Sequence, residues 1–419
     1  MSHCHVIGGG LAGLSAALTL CAAGREVTVH EAAAQAGGRC RSYFDRELGI
    51  RVDNGNHLLL SGNEDAMAFI DRIDARGTLK APGGVSGGRG KAWFPFMDLK
   101  TGQRWTLRPN RGRTPWWIFS TRRRVPNTTP TDYLRLLALT RITDDRSVAD
   151  ALPHNTLYSR LIEPLAISAL NTKPEQGLAR LFGAVIRESL MRGGAACVPL
   201  SPVRGWSESL IDPALRWLSL HGGRVDLGAR VSALEQRDRT VVGLRIGDAT
   251  VVLPRGESVV LAISAPAAGL LVPEIERPNE FEAIVNLHYR FEAEPGEAGF
   301  IGLVGGLAEW VFVKPGHVSV TISAARAIVE QPAEVLAERV WPEVCRALGI
   351  EAPLPAWRVV KEKRATFACT AAQDRRRPGA RTRFENLVLA GDWTDTGLPA
   401  TIEGAIKSGR TAAELLLAT

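Results

Sequence analysis

Residues 3–31, HCHVIGGGLAGLSAALTLCAAGREVTVHE, decide the fold. HCHVI reads as a short buried strand and runs straight into Gly8-Gly9-Gly10-Leu11-Ala12-Gly13. A helical stretch continues to Gly24, and EVTVHE then alternates as a second strand ending in Glu31. Strand, glycine turn, helix, strand and acid is the order that a dinucleotide site requires. Gly8 permits the tight turn, Gly10 lets the backbone approach a pyrophosphate, and Gly13 lets helix and strand pack closely. The helix start at Leu11 and Ala12 offers free N–H groups and a positive dipole end to the phosphates. Glu31, with Ala32 after it, is placed to accept hydrogen bonds from ribose hydroxyls, and its charge repels a 2′-phosphate.

The rest of the composition sets bounds. With 419 residues the chain exceeds the usual size of one core, so two domains are expected. Its 45% hydrophobic and 23% charged content is that of a globular protein. The net charge of +7 suits an anionic membrane surface or a nucleic acid, or carries no specific meaning. Six scattered cysteines without C-x-x-C spacing point to a reducing compartment, the cytoplasm, and away from a zinc site. His3 and His5 share one face of a strand but have no further ligand nearby in sequence, so no metal site is expected. Residues 6–23 are apolar enough to mimic a signal peptide, yet their glycines and the lack of a basic leader argue for the nucleotide turn instead. No other run of about 18 apolar residues is present, so no membrane span is expected.

The segment after Glu31 selects the cofactor. There AAAQA leads to Gly37-Gly38-Arg39-Cys40-Arg41-Ser42, and this E-x5-GGR-x-x-S pattern resembles the flavin-binding signature of the amine oxidase and phytoene desaturase superfamily. The resemblance implies FAD, with Gly38 and Arg39 against its pyrophosphate. Near the other end, NLVLAG (386–391) reads as a buried strand leading to Gly391-Asp392-Trp393 and a helical TIEGAIKSGRTAAELL. It too resembles the superfamily. Asp392 would hold a flavin-side hydroxyl. The helix start around Ala400, Thr401 and Ala405 would face the flavin edge where negative charge collects. A strand at Ala229-Arg230-Val231 would lie beside the adenine. The implied fold class is α/β: a discontinuous Rossmann-like FAD-binding domain (1–80, 196–275 and 384–419) with an inserted α+β substrate domain (81–195 and 276–383).

The first insertion opens with GGVSGGRG (83–90), flexible by composition. Trp93, Phe94, Phe96, Trp105, Trp116, Trp117 and Phe119 come next, then Arg122-Arg123-Arg124. Two readings stand: an apolar substrate tunnel with a membrane-facing mouth, or an aromatic core beside a solvated basic cluster. Nucleic-acid binding is poorly supported, because basic and aromatic residues do not interleave. Helices are expected over 132–195, with Asn171 either ending one or hydrogen-bonding in a pocket.

A narrower resemblance rests on DNGNHLLLSGN (53–63), ALNT (169–172), EKRATF (362–367) and GDWTDTGLPATIEGAIKSG (391–409). Together these resemble the hydroxysqualene dehydroxylase family. That family usually has DNGQH and then a glycine and a tyrosine, where this chain has Asn56 and then Ser61-Gly62-Asn63. The resemblance implies a long apolar isoprenoid substrate, hydroxysqualene, reduced to squalene by hydride from flavin, with peripheral contact at the inner membrane. Asn54, Gly55, Asn56 and His57 would then lie at the flavin. His57 reads either as a general acid for the leaving hydroxyl or as a flavin or loop contact. Asp395, Glu403 and Lys361 are further candidates for catalytic groups, with Thr396 and Thr401 able to hold the leaving oxygen. One dinucleotide motif implies an external electron donor or reductase. A carotenoid-type desaturase is the nearest alternative, and an amine oxidase a more distant one.

Overall fold

The computed structural model describes residues 3–86 and 90–418; residues 87–89 of the glycine-rich 83–90 loop therefore lie outside it. The opening stretch folds as β1 (His3–Ile7), α1 (Leu11–Ala22) and β2 (Glu26–Glu31). Three later strands complete the sheet: β3 (Arg224–Leu227), β4 (Ser258–Leu261) and β5 (Leu387–Leu389). They lie in the order β3-β2-β1-β4-β5, and every neighbouring pair is parallel. From β1 the chain steps outward through β2 and β3, then returns to the opposite side of β1. The switch point therefore falls between β1 and β4, at the carboxyl ends where Gly8 begins.

Glycines set the tightness of this unit. Gly8 has φ +105, and a Cβ there would lie 2.5 Å from the Ala262 carbonyl oxygen just beyond β4. A Cβ at Gly13 would overlap the Gly8 carbonyl, so α1 can rest on the turn only as glycine. α1 then packs along α2 (Ile402–Leu417), where Ser15 Oγ donates to the Ile406 carbonyl at 2.7 Å and Gly409 presses on the Ala12 backbone. Residues 6–23 are thus strand, turn and buried helix. Among the described residues no helix is long and apolar enough to cross a membrane.

A second sheet of seven strands is built from the two insertions. Its order is 357–367, 281–289, 317–322, 310–314, 300–304, 94–98 and 104–107, antiparallel except between 300–304 and 94–98. Strand alternation gives it two faces. Val285, Leu287, Val318 and Val320 point to the helix Ala333–Leu348 and form one core with its Leu336, Val340 and Val344. Phe96, Trp105, Phe300, Trp310 and Phe312 point the other way, into a core shared with Leu161, Leu170 and Phe182 from the helices of the first insertion.

That arrangement divides the aromatic segment between its two sequence readings. Phe94, Phe96, Trp105 and Trp117 are core residues, whereas Trp116 and Phe119 are 68% and 64% exposed. Asn171 ends the helix Glu163–Leu170 in a left-handed conformation, φ 46. Its buried side chain also donates to Thr366 Oγ1 at 2.9 Å and accepts from the Ala324 N–H at 2.6 Å.

The contact of α1 with α2 yields a stability test. Gly409→Val should lower unfolding stability by about 1–3 kcal/mol or more through overpacking, read as a lower urea midpoint by tryptophan fluorescence.

Candidate active site

The pyrophosphate end of the site is built from backbone. Gly8 and Gly13 are hemmed in, but a Cβ at Gly10 would meet nothing within 4 Å. Gly10 is the N-cap of α1, and no side chain caps that helix. Gly38 (φ +54) faces it across the turn, with its Cβ direction 3.7 Å from Gly10 Cα. Bare helix amides and glycine walls fit a pyrophosphate. Glu31 stands at the end of β2, its carboxylate held by the Gly9 N–H at 2.7 Å and the Ala33 N–H at 2.8 Å. The segment expected near the adenine lies beside it: the Ala229 N–H donates to the Glu31 carbonyl at 2.8 Å, just before the strand beginning at Val231. Arg39 joins the two ends of the chain, pairing with Asp392 at 2.8 Å and donating to the Ala365 carbonyl. Thr401 caps α2, its side chain accepting from the Gly404 N–H at 3.1 Å. Ala400 precedes that cap and Ala405 lies in the first turn.

Beyond Arg39 a hairpin, Ser42–Asp45 with Ile50–Asp53, delivers the Asn54–His57 loop against the second sheet. Asp53 is the pivot. Its Oδ1 accepts from Ser42 Oγ at 2.5 Å and the Trp206 N–H at 3.0 Å, and its Oδ2 pairs with Lys314 Nζ at 2.8 Å. Burial alone would raise this carboxyl, but Lys314, Ser42 and Trp206 together hold it below the usual range. Lys314 also donates to Asn56 Oδ1 at 2.7 Å. The Asn56 amide donates in turn to Ser319 Oγ at 2.7 Å and Thr321 Oγ1 at 3.0 Å. Asn286 donates to the Asn54 carbonyl at 3.3 Å.

His57 comes directly after this clamp, with its ring edge-on to Trp206 at 6.2 Å. Its Nε2 is buried without a hydrogen-bond partner among the described residues. Burial, reinforced by Arg39 and Lys314 and opposed by Asp53, pushes the imidazole down to about 4. At neutral pH it is an uncharged hydrogen-bonding group. Asn56, His57, Trp206, Phe312 and Lys314 line one small cavity between the two units.

The candidate catalytic residues do not converge. Glu403 is buried, and its carboxylate accepts from the Asp65 and Ala66 N–H groups at 3.0 and 2.8 Å, so it caps the helix Glu64–Arg72. Burial pushes it up to about 7. Asp395 lies on an exposed turn, its backbone N–H donating to the Pro378 carbonyl at 2.8 Å. Lys361 pairs across the strands with Val285, on the face away from Asn56, and donates to the Gln331 carbonyl. Asn56 itself spends its amide on the second sheet, which is a different task from the flavin contact expected of it. Asp53, Lys314, Asn286 and Trp206 received no role from sequence. Lys314 had left one signal, a lone charge closing the apolar strand WVFVK.

A parallel sheet with a bare glycine turn, an acid at its second strand and an arginine that bridges to Asp392 is the framework of a dinucleotide-dependent oxidoreductase. The sequence model described as flavin containing amine oxidoreductase matches residues 11–417, and the chain belongs to that family, as an FAD-dependent oxidoreductase. Its place within the family is among the hydroxysqualene dehydroxylases. It is 45% identical over 416 residues to the hydroxysqualene dehydroxylase of Rhodopseudomonas palustris, covering 99% of this chain and 98% of that one. Identity to the Zymomonas mobilis protein of the same name is 43% over 418 residues, covering 100% and 99%. Among solved structures, the cyclohexylamine oxidase of Brevibacterium oxydans superposes with a TM-score of 0.72 at 14% identity, covering 99% of this chain and 98% of that one. An oxidoreductase from Methanosarcina mazei gives 0.71 at 17% identity, covering 98% and 100%. At such identities the likeness is one of fold.

The buried histidines predict a pH dependence. His30, His57 and His317 are pushed down to about 4, chiefly by burial, and His288 well below its ordinary value. The unfolded chain therefore binds protons that the folded chain refuses, and stability is fully present only above about pH 6.5. It should fall as pH drops from there toward about 4, by at most ~1.4 kcal/mol per pH unit for each histidine. Urea midpoints across that range, with His288→Gln flattening the slope, are the check.

Proposed function

We propose that this chain removes the hydroxyl of hydroxysqualene reductively, giving squalene for hopanoid-type isoprenoid synthesis. The observation that carries this reading is similarity at 43–45% identity along nearly the whole chain to proteins named hydroxysqualene dehydroxylase. It extends through the substrate-side insertions (81–195 and 276–383) as well as the cofactor segments (1–80, 196–275 and 384–419). In balance, hydroxysqualene, a hydride and a proton give squalene and water. FAD, when bound and reduced, supplies the hydride.

The protein's residues supply enclosure and position. Phe312, at the edge of the aromatic core where it meets the His57 cavity, offers a dry apolar wall for part of a long polyene. Its π faces favour an allylic cation and keep water from recapturing it. His57, held neutral, orients the leaving oxygen by a hydrogen bond rather than serving as a strong acid. The Asp53–Lys314–Asn56 clamp fixes the loop that presents it. A single dinucleotide turn supports electron delivery by an external reductase.

Exposed Trp116 and Phe119 lie beside the helix Pro130–Leu134, and Leu134 and Leu137 are also largely exposed. With exposed Arg122 close by in sequence, this patch supports peripheral contact with an anionic bilayer. Trp116→Asp together with Phe119→Asp should abolish co-sedimentation with vesicles containing phosphatidylglycerol. Unchanged binding would remove the patch from that role.

Anaerobic mixing of the reduced enzyme with hydroxysqualene should reoxidise the flavin and form squalene. Inertness there, with the flavin of the oxidised enzyme reduced by a partly saturated isoprenoid instead, would favour a desaturase. His57→Ala should slow reoxidation by about 10–100-fold, the worth of one buried hydrogen bond, without changing the profile between about pH 5.5 and 8. Loss of a pH-dependent limb would instead make His57 the acid.

A further inference from the structure

The geometry points to a divalent-cation site, of the class that zinc fills, held by His3, His5 and Glu257 at the end of the cofactor sheet remote from the glycine turn. From sequence the two histidines lacked a third ligand. The fold supplies one: β4 runs parallel to β1 with Cys4 opposite Ser258, which sets Glu257 beside the histidine row. One ligand atom from each of the three residues lies within 4.8 Å of the others. His5 Nε2 is 3.1 Å from Glu257 Oε2, and His3 Nδ1 is 3.9 Å from Glu257 Oε1. A tetrahedral zinc with ligands at about 2.0–2.1 Å places its ligand atoms roughly 3.3 Å apart.

The outer contacts can accommodate the tautomers that a cation needs, with the proton on Nε2 of His3 and on Nδ1 of His5. His3 Nε2 is 2.9 Å from Thr28 Oγ1, and His5 Nδ1 is 3.0 Å from His30 Nε2. Each imidazole thus has its second nitrogen engaged and the first free for the carboxylate side, the usual arrangement around a ligating histidine.

The His5–His30 contact admits two proton arrangements. In the one without a cation, neutral His5 carries its proton on Nε2, toward Glu257, and accepts at Nδ1 from the His30 Nε2–H. His30 Nδ1 is then a bare lone pair, buried and unpartnered among the described residues, 3.9 Å from the Asp226 carboxylate. With a cation on His5 Nε2, the His5 Nδ1–H donates to His30 Nε2. The His30 Nδ1–H then faces the Asp226 carboxylate 3.9 Å away, a better charge match than a bare lone pair. The cation reverses the run of donors from Glu257 to Asp226.

His3 and Glu257 side chains are 20% and 18% exposed, which leaves an approach from solvent. Two neutral imidazoles and one carboxylate suit zinc, with water completing the shell. Glu257 immediately precedes β4 and His3 begins β1, so the ion would staple two central strands and take no part in redox chemistry.

The test uses the tag-free, FAD-bound protein dialysed against micromolar zinc chloride and analysed by atomic absorption, with flavin absorbance reporting the fold. One zinc per chain is expected in the wild type and none in His5→Gln or Glu257→Gln. A wild-type chain without zinc, or a folded variant of either kind that keeps it, overturns the site. If His5→Gln fails to retain flavin, the half-buried and nearly isosteric Glu257→Gln decides alone.

Discussion

A buried ion pair fixes the Ser42–Asp53 hairpin against the seven-stranded sheet. Lys314 and Asp53 meet at 2.8 Å with side chains only 13% and 2% exposed. Such a pair is costly to desolvate, by several kcal/mol per ion, unless its remaining hydrogen-bonding capacity is filled. Here it is filled from both sides: Ser42 and the Trp206 N–H serve the carboxylate, and Asn56 serves the ammonium. Those partners come from the hairpin, from the loop that follows it and from the segment after the first insertion. An apolar contact of similar area would hold the units together with less control over their relative position. The polar pair defines one position for the loop that ends in His57.

That position brings the flavin fold and the apolar wall to a common edge. On one side are backbone amides, Gly10, Gly38 and the Arg39–Asp392 pair; on the other is the aromatic face around Phe312. Charge-assisted contacts hold a charged cofactor where backbone can approach it. Aromatic packing fills the core behind Phe312.

The legible parts of the sequence were those governed by local periodicity and backbone necessity. β1, α1 and β2 came from a glycine turn between two apolar runs, and Gly8 and Gly13 pack as their spacing requires. β5 and α2 were likewise readable as a strand and then a helix. Side-chain direction across a distant sheet was less accessible. Lys361 was a plausible site lysine until its register with Val285 put it on the other face. Glu403 sits in the first turn of α2 as expected, but its partners are amides of a helix more than three hundred residues earlier in the chain. Asp53 was visible inside DNGNH; its importance depends on Lys314, and nothing local links the two. The third member of the His3–His5 cluster was hidden for the same reason.

The parallel sheet has one further consequence, which concerns the order of synthesis. β5 and α2 close the flavin side of the cleft, yet they leave the ribosome hundreds of residues after β1. Until then α1 lacks the helix that covers it, and Arg39 lacks Asp392. The nascent chain must carry an exposed apolar helix and an incomplete nucleotide cradle through most of translation. Long-range parallel pairing of this kind folds slowly and exposes aggregation-prone surface while it waits. The pairing of Arg39 with Asp392 and the covering of α1 by α2 therefore come late in the assembly of this fold.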